Sequence, residues 1–182
     1  TVEEVLKEAE DLLKESKERS EDSARRAEEI LRRSEERTRK VVEHSREMAR
    51  RLMEKVKEKR GDELKEEVER VLRRIEKSLE ELRRHSERVK EEIRRLLEED
   101  KKHSDDVVKT IRELLERLKR IDDEKVVEDV LREVEKLVRD NIEHSKRLLD
   151  EIRRRVEENI RRVDEVNKRN EELIREVEER VR

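Results

Sequence analysis

Asp100, His103 and Ser104 bring a carboxylate, an imidazole and a hydroxyl within one helical turn. Those three groups could be the orienter, base and nucleophile of a hydrolytic relay. With His144, the carboxylate and imidazoles are also zinc-ligand types. A third use is internal hydrogen bonding, with acceptors and donors matched inside a core. Spacing decides among the three. Residues three or four apart on a helix are neighbours by geometry alone, and a chain with one glycine offers no Gly-rich loop to stabilise an oxyanion. We therefore expect no enzyme, no bound metal and no cofactor, and read these residues as a buried polar network.

The angular positions favour that reading. At 100° per residue, Leu96, Leu97, Val107 and Val108 share one apolar face. Asp100 falls near its middle, His103 toward one edge and Ser104 between them. About five turns upstream, LRRHSERV repeats the pattern, with His85 and Ser86 in the same slots. A charge and an imidazole on the apolar side of a helix are costly unless other polar groups meet them. Finding the partners requires the elements that carry them.

Composition points to long amphipathic helices. Of 182 residues, 59% are charged and 30% hydrophobic, with no Phe, Tyr, Trp, Pro or Cys. Charge at this density is found in disordered chains, but disorder does not explain the regular apolar spacing, and Leu, Val, Ile, Glu, Lys and Arg suit a helix. The 52 basic and 55 acidic residues are interspersed, for a net charge of −3. Nucleic-acid and anionic-membrane surfaces need one sign clustered, so neither is an expected partner. No window approaches a membrane span and the charged N-terminus has no signal-peptide apolar region. The expectation is a soluble chain without a targeting signal, of unknown native compartment and suited to recombinant cytoplasmic expression.

Punctuation divides the chain in three. Thr1 with Glu4 is a capping-box signature. Lys59-Arg60-Gly61 suits a helix C-terminus, with Gly61 in the left-handed position and Asp62 capping the second helix. Ile121-Asp122-Asp123 marks the second turn, and either Asp can cap. The spacing predicts helices over about 2–60, 63–120 and 124–182, each about 87 Å long at 1.5 Å per residue. The apolar phase crosses 102–104 unbroken, so the middle helix is read as continuous. Short turns make consecutive helices antiparallel, and a stripe that keeps its angular centre implies nearly straight ones. The fold class is all-α: an antiparallel three-helix bundle in one domain, 1–182.

Folding at the two turns sets the register. Facing residues in the first two helices have numbers summing to about 123, and in the last two to about 245. Asp100, His103 and Ser104 then meet Ser20 and Ser23, with Ser16 a turn away, and Asn141, His144 and Ser145. Ser78, His85 and Ser86 meet Thr38, His44 and Ser45, and Asn159 and Asn167, with Asn170 nearby. Asp100 should draw donors from Ser23, Ser104 and a histidine. Polar residues of three helices thus gather at two levels, and polar core groups of this kind fix register. Histidines inside an apolar stripe disfavour the imidazolium, so stability is expected to fall below about pH 6.

Matched long helices, Glu/Lys/Arg surfaces, an aromatic-free core and layered Ser, Asn and His residues resemble de novo designed helical bundles with buried hydrogen-bond networks. The resemblance covers the whole chain as a style rather than a motif. It implies a structural scaffold without natural activity. Some members of that class use buried histidines as pH switches, a pattern matched at His44, His85, His103 and His144. Others are components of designed oligomers, so self-association or docking of a partner helix is the alternative, although no partner is required. Three long helices depart from the short hairpin subunit common in that class.

Overall fold

The computed structural model describes residues 2–58, 61–121 and 123–181. Those residues form three helices: α1 over Val2–Glu58, α2 over Asp62–Leu118 and α3 over Glu124–Val181. The fold is an all-α three-helix bundle. Helix α2 runs unbroken through 102–104. Among the described residues no helix is long and apolar enough to cross a membrane.

The helix ends show where local chemistry was and was not anticipated. Asp123 caps α3: its carboxylate accepts a hydrogen bond from the Lys125 amide at 3.1 Å, which satisfies one of the unpaired donors of the first turn. At the start of α2 the expected roles shift by one residue. The Gly61 carbonyl accepts the first helical bond, from the Lys65 amide at 3.1 Å, which makes Gly61 the capping position and puts Asp62 inside the helix. Gly61 does not have positive φ, so the left-handed role expected of it is corrected. Asp62 and Glu63 now favour the helix through their charge in its first turn. At its far end α2 closes without glycine, because the Arg120 and Ile121 amides reach back three residues to Arg117 and Leu118. Thr1, Lys59, Arg60 and Asp122, which carried parts of the capping argument, lie outside the described residues.

Contacts divide the chain into two compact units, each taking a segment of every helix. The first comprises residues 1–29 and 92–153. Its apolar cluster brings Ala9 and Leu13 of α1 against Ile111, Leu115 and Leu118 of α2 and Val127, Val134 and Val138 of α3. The second comprises residues 30–91 and 154–182, with Leu52 and Val56, Val68, Ile75 and Leu79, and Ile174 and Val177 packed together. In both, residues three and four apart on each helix turn one face inward. Burying each Leu or Ile contributes about 1.5–3 kcal/mol, which lets these cores tolerate polar guests.

Candidate functional site

The first unit gathers buried polar groups from all three helices. Ser16, Asp100, Ser104, Asn141 and Ser145 are each buried. Asn141 on α3 is the junction: its Nδ2 donates to Ser16 Oγ on α1 at 2.9 Å and to Ser104 Oγ on α2 at 3.5 Å. One turn on, Ser145 Oγ lies 3.5 Å from both oxygens of Asp100, donating across α3 and α2. His144 Nδ1 stands 3.9 Å from Asp100 Oδ1, and its ring packs 4.4 Å from that of His103 at 52°.

Asp100 is the strained member of this level. Burial raises its carboxyl above the usual range, while His144, the Ser145 hydroxyl and His103 pull it back. The two 3.5 Å contacts sit at the outer limit for a hydroxyl donor, which explains why desolvation wins. Ser23 and Ser104 do not serve Asp100 as expected: Ser104 is joined to Asn141, and Ser145 takes the donor role. Ser16 supplies the α1 contact in place of Ser20 and Ser23, both half-buried one or two turns later. A 100° step per residue fixes direction around the helix but not which turn reaches the partner, and Ser16 is one turn from Ser20 on the same face.

The second unit holds its polar residues in separate pairs. Ser86 and Asn159 exchange hydrogen bonds, at 3.5 Å from the hydroxyl and 3.3 Å from the amide. Ser78 donates to Asn170 Oδ1 at 3.1 Å and also to the Ile75 carbonyl at 2.8 Å. Thr38, expected in the network, instead donates to the Ser34 carbonyl of its own helix at 3.0 Å, the habitual local alternative for this side chain. His44 is exposed and reaches Glu171 at 3.3 Å; Glu171 also accepts from Asn167 Nδ2 at 3.3 Å. Half-buried His85 lies 3.4 Å from an Arg162 nitrogen through its Nδ1. Among the described residues the buried Ser45 Oγ, Asn167 Oδ1 and Asn170 Nδ2 find no hydrogen-bond partner, and neither does Asn141 Oδ1 in the first unit.

The expected single level of the second unit is therefore corrected to two α2–α3 pairs and an α1–α3 chain at the edge. Sequence reasoning missed Glu171 and Arg162. Glu171 comes four residues after Asn167, which makes them helix neighbours, but among so many glutamates nothing singles it out. Asp100–Ser145, Ser104–Asn141 and Ser86–Asn159 obey the predicted register to the residue, whereas Ser78 pairs one turn away from it with Asn170.

Two histidine placements change the chemistry. His103, expected within the stripe, is exposed, as is His44; His85 and His144 are half-buried. The burial expected of His103 is thus missing, and His44 lies on the exposed side of the stripe edge. Among the described residues no group of three or more His, Cys, Asp or Glu is disposed to hold a metal ion. What the arrangement can do is bind helix to helix through buried donors and acceptors. Comparison with known proteins finds no family model, curated protein or solved structure that matches this chain.

Proposed function

We propose that the chain is a designed structural scaffold without natural biochemical activity, in which buried polar groups specify which helix faces meet and in what register. The observation that carries this reading is Asn141, a 1%-exposed amide that links Ser16 and Ser104 on the other two helices. Sliding α3 by a turn would break both bonds and leave three buried polar groups unpaired, at about 1–3 kcal/mol each, and sliding α1 or α2 would break one of them. Apolar contacts alone discriminate less, since one Leu or Val face packs nearly as well a turn away. Among the described residues no large hydrophobic side chain is exposed, which supports a chain that completes its own core rather than awaiting a partner helix. Light scattering at micromolar concentration should give the monomer mass, and a dimer would favour the oligomer-component reading.

Stability should depend on pH through Asp100. Its folded pKa is raised, so between the unfolded value of about 3.9 and the folded one the native chain binds the extra proton. This contribution is complete below the unfolded pKa and is lost as pH rises through the folded pKa. The test of the scaffold reading is to replace Ser16, Ser104 and Asn141 together by Ala, Ala and Leu. Denaturation midpoints should stay equal or rise, while amide NMR spectra should show more than one set of first-unit resonances. A single sharp set would contradict the proposed role.

A further inference from the structure

A groove of about 700 Å³ runs between α1 and α2 in the first unit, and its lining includes the buried Asp100. Small α1 residues create it. Ser20 and Ala24 stand where a leucine would fill the space against Leu97 and Val108, and all four line the cleft. Ser104 lines it too, so Asp100 and two serines share the lining with Ala24, Leu97 and Val108. Basic and acidic side chains stand along the rim in equal number, which leaves Asp100 as the unmatched charge of the cleft.

From this geometry we infer that the α1–α2 groove is a binding site for a small primary ammonium ion with a compact apolar body. The three N–H donors of an alkylammonium match Asp100, Ser20 and Ser104 as acceptors, and a charge-assisted bond to a buried carboxylate is stronger than a neutral one. The apolar body covers Ala24, Leu97 and Val108. Concave, mostly apolar walls with a few converging polar groups are the usual make-up of a small-molecule site. Among the described residues Asp100 meets Ser145 at 3.5 Å and His144 at 3.9 Å, both long contacts, and its raised carboxyl pKa, caused first by burial, is the mark of a charge not fully compensated. A bound cation would complete that compensation. Lys17, half-buried on the groove wall, is the internal competitor, since its own ammonium has the same chemistry.

Cyclohexylammonium is the probe, titrated at pH 8 into the full chain while amide NMR shifts of residues 17–28 and 94–108 are followed. Saturable shifts confined to those segments are expected, with cyclohexanol at least tenfold weaker. Asp100→Asn should weaken the cation at least tenfold and leave cyclohexanol unchanged. Ala24→Leu, which fills the groove without touching the carboxylate, should weaken both. Absence of saturable binding by the parent overturns the site, as does equal binding of cyclohexylammonium by the parent and Asp100→Asn.

Discussion

Two regions of one bundle handle buried polarity in opposite ways. In the first unit a charged residue and four neutral ones are drawn from every helix, and Asn141 ties α1, α2 and α3 at one level. In the second unit neutral pairs link two helices at a time, and three buried polar atoms, against one in the first, have no partner among the described residues. The first arrangement depends on each member, because losing one strands a charge or an amide. The second tolerates losses, because each pair joins only two helices and the removal of both partners strands no third group. The difference teaches that the count of buried polar residues says little; what matters is whether any one of them couples three helices.

The largest effect should come from stranding Asp100. Replacing Ser145 by Val and His144 by Leu, with Asp100 kept, should cost about 3–5 kcal/mol at pH 7, the range for an uncompensated buried charge. Denaturant melts should show the loss shrinking as pH falls through the raised Asp100 pKa and the carboxyl becomes neutral. The matching change in the second unit, Ser86→Ala with Asn159→Leu, removes both partners together and should stay within about 1 kcal/mol.

Next in size is a contrast between two asparagines. Asn141→Leu should cost about 1–3 kcal/mol, because Ser16 and Ser104 lose their shared donor. Asn170→Leu should be neutral or stabilising by about 1 kcal/mol. It removes an unpaired buried Nδ2, and Ser78 keeps its bond to the Ile75 carbonyl. Equal losses from the two changes would erase the distinction between the units.

Smaller again is Ser45→Ala, which deletes a buried hydroxyl with no partner among the described residues and should raise stability by about 0.5–1 kcal/mol. Last is the bidentate Arg37–Asp164 pair, at 2.8 and 3.0 Å from one guanidinium nitrogen. Both side chains are about half exposed, at 53% and 48%. A double-mutant cycle should return about 0.2–1 kcal/mol, falling with salt.

Much of this architecture was legible in the residues. The apolar period gave three helices and carried α2 through 102–104, and the antiparallel register placed Asp100 opposite Ser145 and Ser86 opposite Asn159. Periodicity could not choose between Ser16 and Ser20, which share a face. It could not foresee that Thr38 would bond to its own helix, because that competition is settled by local backbone geometry. Histidine exposure was the weakest inference: His103 sits at a stripe edge, where a modest rotation of the helix decides between core and water. Gly61 misled for a related reason, since glycine serves a capping position as readily as a left-handed one.

The central claim is that the first-unit network sets helix register and the second-unit pairs do not. The chain has no cysteine, so spin labels can be placed freely. One pair at the exposed Glu10 and Glu113 reports on the first unit, and another at the exposed Glu80 and Glu165 reports on the α2–α3 pairing of the second. Pulsed electron resonance distances should be unimodal at both pairs in the parent. Making Ser16, Asp100, Ser104, Asn141 and Ser145 apolar should add a second first-unit population displaced by about one turn, roughly 5.4 Å along the helix. Making Ser78, Ser86, Asn159 and Asn170 apolar should leave the second-unit distribution single. A first-unit distribution that remains single and narrow after its network is removed would contradict the account.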